Sequence, residues 1–226
     1  MDHPPSPAPV RPAVSVIPLR DGTHGLELFI QHRQGTMDFA PGAVVFPGGR
    51  CDPQDEVAGA GLALPQDVLT EHLRCWGRLD AGAADPSARA LTRIATGLRE
   101  LAEETGLVAD PRDLLPWDNW VTPEVSPKRF DVAFFVLPVP SEAPAQPRHS
   151  TTEATHSGWE PAERILADRA AGRLLLLTPT RVIVEELLAL GDVQAVTRLR
   201  PVITGVRDDR AEGRPRPGRS RSASTR

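Results

Sequence analysis

The segment Arg99-Glu100-Leu101-Ala102-Glu103-Glu104-Thr105-Gly106-Leu107 decides how the chain is read. On a helix, Glu100, Glu103 and Glu104 stand at i, i+3 and i+4, so they project from one face. Leu98, Leu101 and Ala102 point elsewhere. Working back, Leu91, Ile94, Leu98 and Leu101 recur at helical spacing and predict a buried stripe. Asp85 is placed to cap the helix, Pro86 suits its first turn, and Gly106 supplies a left-handed stop. Three carboxylates crowded on one face repel one another, and without a counter-charge at least one pKa must rise. A hard divalent cation removes that conflict, because magnesium prefers oxygen ligands. Arg99, four residues before Glu103, is placed to hold that carboxylate. A Glu-rich helix face is ordinarily a solvated surface. Three features of the context argue for more. A Gly-Gly pair follows an apolar strand upstream, a clean apolar stripe fixes the helix, and a stop follows the last acid.

Upstream, residues 13–19 and 26–33 are short β-branched runs separated by Asp21-Gly22 and Gly25, which predicts a hairpin. Residues 42–46 predict a third strand that ends at Pro47-Gly48-Gly49, read as a loop making a sharp turn or a close approach. Residues 50–88 read as an insertion containing one helix, 64–76, stopped by Gly77. Downstream, 114–122 is irregular with short strand segments, 130–137 is a buried strand and 138–150 is a proline-rich loop. A strand over 151–159 and helices over 162–171 and 179–190 follow. Residues 1–11 read as a disordered arm, 12–205 as one domain and 206–226 as a disordered basic tail carrying Arg214, Arg216, Arg219 and Arg221. Strands on both sides of one central helix, with further helices at the end, predict a mixed-sheet α/β layer fold.

Composition narrows the function classes. The 226 residues suffice for one sizeable core. The net charge of −4 argues against a general nucleic-acid binder. No apolar run is long enough to span a bilayer, and the proline-rich N-terminus lacks the pattern of a secretory leader, so a cytoplasmic location is expected. Cys51 and Cys75 are too few for a disulfide framework and lack metal-site spacing. His32, His72, His149 and His156 show no ligand spacing and read as surface or internally satisfied residues.

Residues 99–107 resemble the second half of the Nudix box, R-E-U-x-E-E-x-G-U with U apolar, at every specified position. The first half, G-x5-E-x7 before the arginine, departs from the pattern. Gly49 lies about 36 residues too far upstream, and counting back from Arg99 puts Leu91 where the box has its first glutamate. Such an insertion resembles the Nudix subgroup of peroxisomal coenzyme A diphosphatases and their actinobacterial relatives. Trp120-Val121-Thr122-Pro123-Glu124, Arg129-Phe130-Asp131 and Phe134-Phe135 also look like segments of that subgroup. The resemblance implies a Nudix-like α/β/α sandwich with a mixed β-sheet, plus a helical insertion between the glycine loop and the acidic helix. It implies hydrolysis of a pyrophosphate bond with Mg2+, or Mn2+, as cofactor. Glu103 and Glu104 resemble the main metal ligands, Glu100 a further ligand or a base, and the Gly49 carbonyl a backbone ligand. Arg99 joins the catalytic group. Glu153 is the candidate for an added carboxylate beyond the box, with Glu124 second.

The coenzyme A diphosphatases often carry L-L-T-x-R-S/A-x3-R-x3-G-x3-F-P-G-G. Arg33, Gly42 and Phe46-Pro47-Gly48-Gly49 fit that spacing, whereas Gln34 and Asp38 depart from it. Coenzyme A or an acyl ester is therefore the expected substrate, with ADP-ribose, NADH and other dinucleotides as alternatives. Arg33, Gly48, Gly49 and Arg129 are the expected substrate contacts, and an arginine fork suits a phosphate. Trp117 and Trp120 are read as core, with stacking on a base as the alternative. The expected partner is a small pyrophosphate, with no specific nucleic acid and no membrane; a homodimer is left open. A catalytically silent nucleotide-binding Nudix module is the competing reading.

Overall fold

The computed structural model describes residues 7–36 and 40–207. Asp38 and the arginine-rich tail from 208 onward lie outside the described residues. Val10–Gly22 forms β1 and Gly25–Arg33 forms β2, an antiparallel hairpin in register from Leu19 opposite Leu28 to Gly22 opposite Gly25. Arg129–Pro138 forms β6, which runs parallel to β1 along its length. Leu115–Val121 forms β5, antiparallel to β6. Ala43–Val45 (β3) and Ala154–Pro161 (β7) both pair with β2. Two-residue strands close the ends: Leu175–Leu176 (β8) beside β3 and Val206–Arg207 (β9) beside β5. The path is β8-β3-β2-β1-β6-β5-β9, a mixed sheet.

Side-chain alternation along β1 and β6 divides the core into two layers. Val14 and Val16 of β1 pack with Ala133, Phe135 and Leu137 of β6 on one face. Ile17 and Leu19 pack with Phe134 and Val136 on the other. Pro86–Thr105 (α3) and Gln66–Trp76 (α2) cover the first face through Ile94, Leu101, Cys75 and Trp76. Ala162–Ala170 (α4) and Thr178–Leu190 (α5) cover the second through Ile165, Ile183, Val184 and Leu187. Each such side chain contributes about 1.5–3 kcal/mol on burial. Both faces of the sheet are thus paired with helices, the α/β/α sandwich expected.

The termini of α3 are as read from sequence. The Asp85 side chain accepts from the Ala88 N–H at 2.9 Å, Pro86 opens the helix, and Gly106 closes it at φ 69°. The buried stripe is rotated from the one expected. Ala90, Arg93, Ile94, Gly97 and Leu101 are buried, while Leu91 and Leu98 lie only partly inside. Arg93 turns inward because its guanidinium makes a fork of 2.7 and 2.8 Å with buried Asp80, which neutralises its charge inside. Gly97 lets the helix approach the Val14 and Val16 side chains.

Several expectations need correction. Gly48–Arg50 is a short strand, β4, antiparallel to β1, and not a loop. The ladder there uses the edge of β1 that β2 vacates. Pro53–Ala60 forms a helix, α1, inside the segment read as having only one. Residues 115–121 form a continuous strand because β6 and β9 flank it. Val193–Arg198 (α6) is a further short helix. Val10 and Arg11, assigned to the loose arm, pair with Arg129 and Phe130, and Val206–Arg207, assigned to the tail, pairs with β5.

Candidate functional site

The C-terminal half of α3 lies against β4, and the sequence of β4 makes this possible. A Cβ on Gly48 would overlap the Val14 carbonyl and the Ser15 Cα, and one on Gly49 would overlap the Glu100 carboxylate. The glycine pair therefore creates the room in which the helix acids sit. Glu104 is buried and accepts from the Gly48 N–H at 3.0 Å. Burial raises its pKa to about 7. The Gly48 N–H opposes that rise, and the nearby charges of Glu100 and Glu153 add to it. The Gln31 amide faces this carboxylate and lowers the pKa somewhat, but its Nε2 makes no hydrogen bond of normal geometry. Glu100 is also raised, first by burial, with Arg99 pulling it down and Glu103 and Asp55 pushing it up.

The strand ladder settles which backbone atoms face the acids. Val16 N–H bonds the Pro47 carbonyl and Cys51 N–H bonds the Pro12 carbonyl. Antiparallel alternation then turns the carbonyl of Gly49, the partner of Val14, toward β1. The N–H of Gly48 and the carbonyl of Arg50 leave the strand toward α3, where they meet Glu104 and Arg99. The backbone oxygen on the acidic side at the glycine pair is that of Gly48, whereas the Gly49 carbonyl, the ligand expected from the resemblance, faces β1.

Arg99 is the hub of the site. Its Nε and Nη2 make a fork with Asp55 at 2.8 and 2.9 Å, and Nη2 also bonds the Arg50 carbonyl at 3.0 Å. Its Nη1 reaches Glu100 at 2.8 Å and Glu103 at 3.1 Å. Asp55 is almost fully buried on α1. Burial pushes its pKa up, but the Arg99 fork, the Asp52 N–H and the Thr96 hydroxyl outweigh this and hold it below the usual carboxylate range. Sequence reasoning missed Asp55. The signal was present: counting five residues forward from Gly49, instead of back from Arg99, gives G-x5-D, so Asp55 stands at the acidic position assigned to Leu91. The two segments that bear on the pattern, 49–55 and 99–107, are separated by the rest of the insertion.

Glu103 is drawn onto Arg99 and its side chain is 59% exposed. Glu100 and Glu104 face the glycine strand. In this arrangement no three His, Cys, Asp or Glu side chains among the described residues are grouped to hold a metal ion. The donor chemistry nonetheless fits a hard divalent cation. Two crowded carboxylates, Glu100 and Glu104, have raised pKa values, a third, Glu103, stands beside them on the same helix, and all these side chains offer oxygen ligands.

Arg33 and Glu153 border the same region. Arg33 Nη2 lies 3.9 Å from Glu153, and its Nε is buried with no hydrogen-bond partner. Glu153 is half exposed and near enough to Glu104 to push its pKa up. The remaining candidates lie elsewhere. Arg129 is buried and donates to the carbonyls of Thr122 and Ala8, fastening the start of β1 to the β5–β6 turn, so the backbone already occupies a fork expected to hold phosphate. Glu124 is exposed in that turn. Trp117 and Trp120 are buried in the α4–α5 layer, which leaves neither ring free to stack on a base. A separate cavity of about 770 Å³ opens between α1, the start of α3 and β6. Asp52, Glu56, Asp85 and Asp131 line it, and none of the three helix acids does, so it is no substitute for the carboxylate site.

No protein-family model matches the chain, and no curated protein matches it. Solved structures do. A Nudix hydrolase from Alicyclobacillus acidocaldarius is 24% identical with a TM-score of 0.64, over 82% of this chain and 94% of that one. An Ap4A hydrolase from C. elegans, in a binary complex, is 14% identical with a TM-score of 0.47, over 80% and 96%. The NUDIX domain of Shewanella oneidensis NrtR, complexed with ADP ribose, is also 14% identical with a TM-score of 0.47, over 80% and 88%. The first likeness establishes the Nudix fold; the other two are too distant to add to it.

Proposed function

We propose that this Nudix-fold chain is a divalent-metal-dependent hydrolase that cleaves the pyrophosphate bond of a nucleoside diphosphate derivative, with coenzyme A or an acyl-coenzyme A as the substrate of first choice. The observation that carries the reading is the packing of Glu100 and Glu104 against Gly48-Gly49, with Arg99 tying both halves of the split box together. That arrangement leaves two acids energetically strained until a cation or a proton joins them. Magnesium or manganese, when bound, would neutralise the pyrophosphate and lower the pKa of an attacking water. Glu100, Glu103, Glu104 and the Gly48 carbonyl would hold it, with Glu153 as the ligand from outside the box. Glu100, the partly buried acid beside Arg99, would accept the proton from water. Arg33 would meet the phosphate oxygens, because its Nε is a buried donor lacking an acceptor. Its place in the extended motif with Gly42 and Phe46-Pro47 is what favours coenzyme A over ADP-ribose or NADH.

A product-resolved screen over coenzyme A, acyl-coenzyme A, ADP-ribose and NADH with Mg2+ or Mn2+ tests the reading. Two phosphate-bearing products are expected, and Glu103→Gln and Glu104→Gln should each abolish turnover while the chain still melts cooperatively. Absence of turnover across the panel with either metal overturns it. The position of Glu103 on Arg99 favours one alternative, a nucleotide-binding module without chemistry. Ligand-dependent thermal stabilisation without product formation would establish that instead.

A further inference from the structure

Between β6 and β7 the chain passes over the end of α3 and is fastened there. The Arg148 N–H donates to the Thr105 carbonyl at 2.9 Å, and the Ser150 N–H donates to the Glu104 carbonyl at 3.2 Å. These carbonyls belong to the last turn of the helix, where no intrahelical donor remains for them. The two bonds bracket His149, so its backbone is fixed on both sides beside the acidic helix. Its Nδ1 lies 2.9 Å from the Ser157 hydroxyl. Ser157 is buried on β7 and stands opposite Gln31 of β2. Cross-strand partners share a face of the sheet, and Gln31 faces Glu104. The imidazole is therefore held on the carboxylate side of the sheet, while the residue itself remains exposed.

The donors here form a pattern of their own. Gln31 and Arg33 are two apart on β2 and share a face; the Nε2 of one and the Nε of the other are buried without acceptors. With the Ser157 hydroxyl donating to Nδ1, the ring hydrogen of a neutral His149 sits on Nε2, the outward edge. Two buried donors thus lie on the face that Ser157 shares, and the ring hydrogen of His149 lies on the edge away from Ser157. We infer that His149, oriented by Ser157, is a substrate-contacting residue that donates from Nε2 to a phosphate oxygen, completing with Gln31 and Arg33 a donor wall across from the acidic wall. The assignment rests on the pyrophosphatase reading of the site and adds to it a residue that lies outside every motif in the sequence.

The test is isothermal titration of the full chain with Mg2+ alone, and then with methylenediphosphonate, a non-hydrolysable pyrophosphate analogue, in the presence of Mg2+. His149→Ala should weaken the diphosphonate by about tenfold or more, the loss expected for a hydrogen bond to a charged group, with Mg2+ affinity and melting temperature unchanged. His149→Gln, which keeps a donor, should recover part of the loss. Ser157→Ala, which leaves the ring but frees it, should fall between. Diphosphonate affinity within about twofold of wild type in His149→Ala overturns the assignment and leaves the pyrophosphatase reading standing. Equal loss of Mg2+ and diphosphonate also overturns it, since a merely structural role gives that result. Wild-type protein that binds neither overturns both.

Discussion

Asp55 and Arg99 carry more of the site than any other pair, and their chemistry sets a measurable cost. Each partner satisfies the other through two hydrogen bonds, and Asp55 is nearly inaccessible to water. Removing the carboxylate leaves a guanidinium half inside with its fork empty, which costs about 3 kcal/mol or more. Asp55→Ala should therefore lower the unfolding free energy measured in urea by that amount and reduce turnover as well, because Arg99 also positions Glu100. Asp55→Glu should restore part of both. Glu104 gives the second prediction at this scale. Its pKa is raised in the folded protein, to about 7 from an ordinary 4.5. The folded state thus binds the proton more tightly than the unfolded chain does. The resulting stabilisation is complete below the unfolded value and is lost as pH climbs through about 7. Metal-free protein should melt at progressively lower temperature between about pH 5 and pH 8, by up to about 3 kcal/mol in stability. Glu104→Gln should flatten that slope, and Mg2+ at pH 8 should raise the melting temperature of the native chain more than that of the variant. A slope identical in both proteins would show that Glu104 titrates normally.

Among the elements, β4 is the one whose substitutions separate fold from chemistry. A methyl on Gly48 meets the backbone of β1, which cannot yield, and Gly48 also sits at φ 156°. A methyl on Gly49 meets only the carboxylate end of Glu100, which can rotate away. Gly48→Ala should lower the melting temperature clearly. Gly49→Ala should leave stability within about 1 kcal/mol while displacing Glu100 and weakening Mg2+ several-fold; comparing melts and metal titrations of the two variants checks the contrast. Much of this element and of α3 was legible in the sequence. The cap at Asp85, the stop at Gly106 and the three acids follow from local chemistry, which needs only neighbours in the chain. The rest was not legible, for stated reasons. Gly-Gly reads as a turn because glycine disfavours strands, yet here the pair is a strand because no side chain fits between β1 and the helix. Residues 115–121 read as irregular because Pro116 and Asp118 are poor strand formers, and only pairing with β6 makes them one. His149 carried no signal at all, since its partners are a serine eight residues on and the end of a helix packed beside it.

The insertion is part of the whole molecule's core and does not bulge away from it. Trp76 and Cys75 are fully buried, Trp76 meets Phe135 edge-on at 5.5 Å, and the Cys75 carbonyl accepts from the Ile203 N–H near the end of the described chain. Arg93 stacks on the Trp76 ring at 4.9 Å while its fork holds Asp80. Excising residues 57–84 and joining the ends with a short linker should therefore give a chain that fails to melt cooperatively, as circular dichroism would show; a cooperative transition near the native temperature would assign the segment to decoration. The same segment bears on how quickly the molecule can become active. Arg99 finds Asp55 across a sequence separation of 44 positions, against about eight when the motif is uninterrupted. By chain-closure statistics that raises the entropic cost of uniting the pair by about 1.5 kcal/mol, a little over tenfold in rate where the step limits folding. In stopped-flow refolding, the sheet should gain its signal early and metal-binding competence should lag behind it, so that a newly folded molecule acquires its shape before it acquires its grip on the ion.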